Sequence, residues 1–204
     1  MSGFTHIPVM LEECLQGLNV RDGGIYFDGT IGGGGHSYEI LKRSAPSGRL
    51  IATDLDDDAI AAASARLAEF DGRFKIFKSD YKNFEEVLEK ANIDKLDGVM
   101  LDFGVSSWQL DSEERGFSYM KPSAPLDMRM DRSQSLSAET VVNEYSAKEL
   151  AKILKEYGEE KFASAIAANI AKARENKRIT TCGELSAIIE ESIPKKFQQN
   201  GPAA

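Results

Sequence analysis

The chain has 204 residues, of which 42% are hydrophobic and 28% are charged, and its formal net charge is −8. This length and composition fit one soluble α/β domain with room for a small second unit. They argue against a membrane-spanning protein, because no apolar stretch approaches the ~20 residues of a bilayer span and the N-terminus lacks a signal peptide. The acidic balance weighs mildly against a nucleic-acid partner but leaves a local basic patch open.

The two cysteines are not spaced as metal ligands. Cys14 and Cys182 lie far apart in the sequence, so we expect no metal site. They predict reduced core thiols in a cytoplasmic protein.

A short helix is the first predicted element. Apolar residues three and four positions apart predict a helix over residues 8–18, with Pro8 in its first turn. His6 precedes it, and a lone histidine there more often makes a structural hydrogen bond than takes part in catalysis.

A glycine-rich corner follows and is the strongest functional signal in the chain. The apolar run 25–27 predicts a buried strand, Asp28 follows it, and four glycines at 32–35 lead into an amphipathic stretch. Strand, glycine turn and helix start form the ligand-binding corner of an open α/β sheet. The dinucleotide pattern G-x-G-x-x-G is incomplete, since Ser37 takes the third glycine position. The Asp28 carboxylate would repel a pyrophosphate but suits a cation, which favours S-adenosylmethionine over NAD.

Three further strands are predicted, each leading to a polar or aromatic side chain. The strand over 49–54 ends in Asp54, and an acid there accepts hydrogen bonds from ribose hydroxyls in nucleotide-binding sheets. An alternating strand over 73–78 precedes Tyr81, which fits either a purine-stacking ring or a surface plug. The near-continuous apolar run after Leu96 predicts a central parallel strand that ends at Asp102, where chemistry is normally placed.

From Gln109 the pattern changes. Residues 109–131 are irregular and mix charges with aromatic residues, which is typical of a functional loop. After Ser137 the sequence predicts helices, with capping boxes at 146–149 and 181–184 and a stop at Pro194. The sequence therefore predicts a Rossmann-like domain over 1–108, an active-site loop region over 109–136 and a helical subdomain over 137–204.

Several motifs together resemble one family, the RsmH (MraW) family of bacterial S-adenosylmethionine-dependent methyltransferases of 16S ribosomal RNA. The strings at 126–131 and 104–107 are highly specific. The likeness runs from His6 to Ala204 and rests on Asp28-Gly29-Thr30, Gly34-Gly35-His36-Ser37, Leu101-Asp102-Phe103-Gly104-Val105-Ser106-Ser107, Gln109-Leu110-Asp111, Arg115-Gly116-Phe117-Ser118, Leu126-Asp127-Met128-Arg129-Met130-Asp131 and Tyr157-Gly158-Glu159-Glu160.

The resemblance implies a class I methyltransferase fold: a Rossmann-like α/β sheet, here partial, with an inserted all-helical subdomain. It implies that S-adenosylmethionine is the cofactor and that the protein methylates the N4 amine of a cytidine in 16S rRNA of the small ribosomal subunit. It also implies rRNA processing in the cytoplasm with no membrane partner, and it leaves a homodimer open. The implied cofactor contacts are Gly34, Gly35, His36, Asp54, Tyr81, Asp102 and Gln109, of which His36 and Gln109 come from the resemblance alone.

Methylation of a cytosine amine needs a group that holds the N–H bonds while the nitrogen attacks the sulfonium methyl. Asp102 is the catalytic candidate by position, and Ser106 and Ser107 are placed to hold the base edge. The base has to be unstacked to reach them. Arg115 and Arg129 are candidates for RNA phosphate contacts, because guanidinium groups match phosphate geometry.

Two alternatives stay open. A nicotinamide-dependent oxidoreductase explains the glycine turn and Asp54 but not Asp28. A catalytically impaired fragment that only binds S-adenosylmethionine is the other alternative, because only four strands are predicted. In the family a later segment returns to the sheet and supplies its last strands, so we expect this stretch to be far less active than a full-length form.

Overall fold

The computed structural model describes residues 8–198, so His6 lies outside the described part. The chain divides into two compact units, Met1–Ser106 and Ser107–Ala204. Within the described range, no helix combines the length and apolar character needed to cross a bilayer.

The first unit alternates helices and strands, as predicted for an α/β protein. Its four strands are all parallel and lie in the order β3-β2-β1-β4. The predicted α/β fold with a partial sheet is therefore confirmed. In chain order the elements are α1 (Leu11–Gly17), β1 (Ile25–Asp28), α2 (Gly35–Arg43), β2 (Arg49–Asp54), α3 (Asp57–Leu67), β3 (Phe74–Lys78), α4 (Phe84–Ala91) and β4 (Gly98–Met100).

The two middle strands, β1 and β2, are covered on both faces. Tyr26 and Leu50 belong to one apolar cluster, which includes residues of α2 and α3. Phe27 and Ile51 belong to a second cluster, completed by residues of α4. Successive side chains of a strand point to opposite faces, so a strand buried on both faces reads as a continuous apolar run.

β4 differs from its prediction in length. Only Gly98–Met100 pairs with β1, and in the described sheet β4 has no neighbour on its other side. Val99 is 53% exposed and Leu101 is 38% exposed. Within residues 8–198 β4 is therefore the edge strand of the sheet, and the expectation that it is a central strand stays a prediction.

α1 begins later than predicted. Met10, just before it, adopts φ 52°, in the left-handed region. A residue in that conformation cannot continue a right-handed helix, so Pro8 lies outside the helix that starts at Leu11.

The second unit is helical in its described part. Its helices are α5 (Ser107–Asp111), α6 (Ala138–Glu144), α7 (Ala147–Glu156), α8 (Ala163–Asn176) and α9 (Cys182–Ser192), with 3₁₀ turns at Glu113–Arg115 and Lys195–Phe197. Leu150, Ile166 and Ile170 lie in its apolar core.

Both predicted capping boxes of this unit are confirmed. The Ser146 and Thr181 hydroxyls cap α7 and α9, with Glu149 and Glu184 bonding back to the main chain. α5 falls where the sequence pattern is irregular. Its five residues are too few to show a helical period, so the pattern could not predict it.

Candidate functional site

The carboxyl ends of the strands bring most of the predicted cofactor residues of the first unit to one edge of the sheet. The Gly29 N–H donates to the Met100 carbonyl at 3.0 Å, which joins the ends of β1 and β4. The Asp102 N–H donates to the Thr30 hydroxyl at 2.7 Å. The edge therefore holds the ligand-facing loops of an open parallel sheet.

The turn between β1 and α2 takes a conformation that suits glycine. Gly32 has φ 49° and Gly34 has φ 73°. A Cβ on Gly34 would lie 3.2 Å from Ala63, so a side chain there would lack room as well as a relaxed backbone. α2 begins at Gly35, so the N–H groups of Gly35 and His36 lie in its first turn, where a helix leaves N–H groups without intrahelical partners.

Asp28 supports this turn from inside the protein. Its carboxylate accepts hydrogen bonds from the Thr30 N–H at 3.1 Å and from the Ser37 hydroxyl at 2.6 Å. Burial raises the pKa of Asp28 to about 6, and these two hydrogen bonds oppose that rise. At the position of the third glycine, Ser37 thus supplies a hydroxyl that donates a hydrogen bond to Asp28. Because Asp28 is 1% exposed, its charge can influence a ligand only from a distance.

Asp54 ends β2, and the main chain fixes its carboxylate. Oδ2 accepts a hydrogen bond from the Gly32 N–H at 2.9 Å, and Oδ1 accepts one from the Asp56 N–H at 3.0 Å. A carboxylate has about four lone-pair sites, so it can accept a further donor beside these backbone groups. Burial raises the pKa of Asp54, and the backbone hydrogen bonds oppose the rise. The group is suited to receive a pair of hydroxyl donors.

Tyr81 and Asp102 follow the two outer strands of the described sheet. The Tyr81 ring is 40% exposed, and its centroid lies 5.5 Å from that of Phe103. Asp102 is exposed, and its carboxylate makes no hydrogen bond to any residue in the range 8–198. It is therefore an available acceptor at the end of β4.

The His36 side chain is directed toward the protein. The ring is buried, and Nε2 lies 3.0 Å from the Val9 carbonyl oxygen. That hydrogen bond ties α2 to the segment before α1, so a ligand contact at His36 is left to the main-chain N–H.

Three further predicted site residues fall at or after the division between the units. Ser106 ends the first unit, and Ser107 begins both the second unit and α5. Gln109 lies on the same short helix and is buried. No local pattern singled out Gln109, and only the resemblance did.

The two arginines predicted to contact RNA phosphates hold a loop of the second unit instead. Arg115 is fully buried, and Nη2 donates to the Arg129 and Met130 carbonyls at 3.0 and 3.2 Å. Arg129 forms a two-pronged pair with Asp127, at 3.0 and 2.7 Å, which lowers the pKa of that carboxyl. The prediction for Arg115 is wrong, because its buried guanidinium cannot reach a phosphate. The guanidinium of Arg129 is already paired with the Asp127 carboxylate.

The comparisons with known sequences agree on one family. The model of the MraW methylase family matches residues 3–204. Ribosomal RNA small subunit methyltransferase H 2 of Agathobacter rectalis is 52% identical over 198 residues, which cover 97% of this chain and 63% of that relative. Ribosomal RNA small subunit methyltransferase H of Clostridium botulinum is 51% identical over 201 residues, which cover 98% and 64%. The chain thus spans less than two thirds of the length of these relatives.

Solved structures of methyltransferases are also similar to parts of this chain. An RNA methyltransferase from Salinibacter ruber in complex with S-adenosyl-L-homocysteine has a TM-score of 0.38 and 16% identity, covering 59% of this chain and 74% of that one. A methyltransferase from Aquifex aeolicus, described as dependent on S-adenosylmethionine, has a TM-score of 0.35 and 17% identity, covering 73% and 79%.

Proposed function

The chain belongs to the MraW methylase family, and from that premise we propose that it binds S-adenosylmethionine at the carboxyl edge of its sheet. We propose further that the complete protein transfers the methyl group to the N4 amine of a cytidine in 16S rRNA of the small subunit. The observation that carries the proposal is the Asp54 carboxylate, which the Gly32 and Asp56 N–H groups hold in place at the end of β2.

The groups at this edge fit S-adenosylmethionine part by part. Asp54 accepts from the two ribose hydroxyls, and the exposed Tyr81 ring lies against the adenine. The N–H groups of Gly35 and His36, at the positive end of α2, suit the carboxylate of the methionine part. The proposed cofactor set is Gly34, Gly35, His36, Asp54, Tyr81, Asp102 and Gln109.

When bound, S-adenosylmethionine supplies an electrophilic methyl group. The work left to the protein concerns the amine, whose lone pair is delocalised into the cytosine ring. An acceptor oxygen beside the N–H bonds favours the tetrahedral nitrogen that attacks, and it takes the proton that is released. In our proposal Asp102 is that acceptor, because its exposed carboxylate has no hydrogen bond within residues 8–198. Ser106 and Ser107, which follow Asp102 in the sequence, hold the base edge in this proposal.

Calorimetric titration of the purified protein with S-adenosylmethionine and with NAD⁺ tests the cofactor site. We expect the first to bind and the second not to. Asp54→Ala loses charge-assisted hydrogen bonds worth about 1.5–3 kcal/mol, so the affinity falls roughly ten- to a hundred-fold. Asp57→Ala is the matched control, because Asp57 is an exposed acid close by that pairs with Lys78.

Unchanged affinity in Asp54→Ala, with the circular dichroism spectrum of the wild type, would remove Asp54 from the site. An equal loss in Asp57→Ala would mean that only the overall charge matters. Binding of NAD⁺ would restore the oxidoreductase alternative, against which membership of a methylase family argues.

Other expectations from the sequence stay predictions. They are the cytoplasmic location, the homodimer and the division into parts over 1–108, 109–136 and 137–204. The activity of this stretch without the remaining length of its relatives is also a prediction.

A further inference from the structure

The residues just before α1 lie against the first turn of α2. The His36 ring donates a hydrogen bond from Nε2 to the Val9 carbonyl at 3.0 Å, since a carbonyl oxygen can only accept. Pro8 contacts the same turn: a Cβ on Gly35 would lie 2.5 Å from the Pro8 Cγ, so a glycine at this position leaves room for the approach. We call residues 8–10 the strap.

Two of the three side chains of the strap are largely open to solvent. Val9 and Met10 are each 63% exposed, so they bury little apolar area. The Met10 carbonyl accepts from the Cys14 N–H at 2.9 Å, which joins one end of the strap to α1. The link to α2 depends on the buried His36 ring and on Pro8. Beside that link opens a cleft of about 220 Å³, lined by Pro8, Leu11, Gly35, Tyr38, Glu39 and Arg66.

α2 begins without a side-chain cap. Its N-cap residue is Gly34, which has no side-chain acceptor, and its first turn contains no acid. Other side chains therefore hold this turn. The Ser37 hydroxyl ties it to Asp28 at 2.6 Å, and the His36 ring ties it to the strap. The direction of the N–H groups in the first turn depends on both ties.

The first turn of α2 is the part of the cofactor site that suits an anion. The N–H groups of Gly35 and His36 lie at the positive end of the helix. Arg66 adds positive charge there, since a Cβ on Gly35 would lie 3.2 Å from its Nη1. A main-chain N–H is present in every residue except proline, so a contact through this group does not by itself require histidine at position 36.

We propose that the His36 side chain is a positioning residue for the cofactor. Its bond to the strap holds the first turn of α2, so that the Gly35 and His36 N–H groups face the carboxylate of the methionine part. The ring acts through the main chain and does not contact the cofactor. The inference rests on the proposed S-adenosylmethionine site, and it adds the strap to the groups on which that site depends.

Calorimetric titration of the complete protein with two ligands tests the inference. One is S-adenosylmethionine, and the other is decarboxylated S-adenosylmethionine, which keeps the adenine, ribose, sulfonium and ammonium but lacks the carboxylate. His36→Ala should lower the affinity for S-adenosylmethionine about two- to twelve-fold, because the ring can transmit no more than the net worth of one hydrogen bond. The affinity for the decarboxylated ligand should not change. A merely structural defect would lower both affinities.

Three further variants isolate the hydrogen bond. His36→Gln should bind S-adenosylmethionine like the wild type, because its side-chain N–H can donate to the Val9 carbonyl. Pro8→Gly loosens the strap and leaves His36 in place, so it should show the same selective loss, and it carries the test where His36→Ala does not fold. Lys42→Ala is the control, because Lys42 is exposed in the last turn of α2, and both affinities should stay unchanged.

Equal affinity of His36→Ala and the wild type for S-adenosylmethionine would overturn the inference. Equal losses with the two ligands would also overturn it, as would a His36→Gln variant that binds as weakly as His36→Ala. If the wild type does not bind S-adenosylmethionine, the proposed cofactor site fails. If the wild type binds it and His36→Ala binds it equally well, only this inference falls.

Discussion

Asp28→Asn should remove a pH-dependent loss of folding stability that comes from the buried carboxyl beneath the glycine turn. The Asp28 carboxyl is 1% exposed, and burial raises its pKa from the ordinary 3.8 to about 6. The folded state therefore favours the protonated carboxyl. The stability that this group contributes is fully present below about pH 4 and is lost as the pH rises through about 6.

The size of the effect follows from the two pKa values. The difference between 3.8 and about 6 corresponds to about 3 kcal/mol of unfolding free energy, lost between about pH 4 and about pH 7. Asparagine does not ionise, so the unfolding free energy of the variant does not fall in this way as the pH rises. It keeps one oxygen in place of two for the Thr30 N–H and the Ser37 hydroxyl, at a cost of about 1–3 kcal/mol that does not depend on pH.

Urea unfolding followed by far-ultraviolet circular dichroism, repeated across this pH range, measures the difference between wild type and variant. We expect the Asp28→Asn variant to gain about 3 kcal/mol relative to the wild type as the pH rises. Ser37→Ala should move the loss in the wild-type curve to higher pH, because it removes a donor that favours the ionised carboxyl. Asp71→Asn, at an exposed acid in the turn before β3, should keep the wild-type curve. A difference between wild type and Asp28→Asn that stays constant with pH would refute the reasoning.

Two more substitutions test the turn and the loop. Gly34→Ala and Gly72→Ala both place a side chain at positive φ, at a cost of about 1–2 kcal/mol of stability each. A Cβ at Gly34 would also lie 3.2 Å from Ala63, so only Gly34→Ala should lower the affinity for S-adenosylmethionine. Equal affinities of the two variants by calorimetry would contradict this. Arg115→Met leaves the Arg129 and Met130 carbonyls without their donor, at a cost of about 1–3 kcal/mol of stability per carbonyl, and should lower the urea midpoint. Arg132→Met, at an exposed arginine, is the control and should keep the midpoint. An unchanged midpoint in Arg115→Met would contradict the role of Arg115.

Features set by neighbours in the sequence were predicted well. The bounds of β2 follow from one apolar run that ends in Asp54, and the capping boxes of α7 and α9 follow from residues three positions apart. Asp54 and the glycine turn could be predicted as a site because strand ends and turns have local signals.

Features set by distant contacts were not predicted. The charge of Arg115 suggested a surface position, and only the fold of the 126–131 loop shows that its guanidinium serves two carbonyls. The bond between Ser37 and Asp28 joins residues nine positions apart, across the turn.

The position of the transferred methyl group tests the central claim most directly. The complete protein is incubated with undermethylated small ribosomal subunits and S-adenosylmethionine labelled in its methyl group, and the RNA is then digested to nucleosides. We predict that the label is on the N4 amine of cytidine and that Asp102→Ala, the proposed acceptor variant, transfers far less of it. Label on a cytosine ring carbon, on a ribose hydroxyl or on protein would contradict the account.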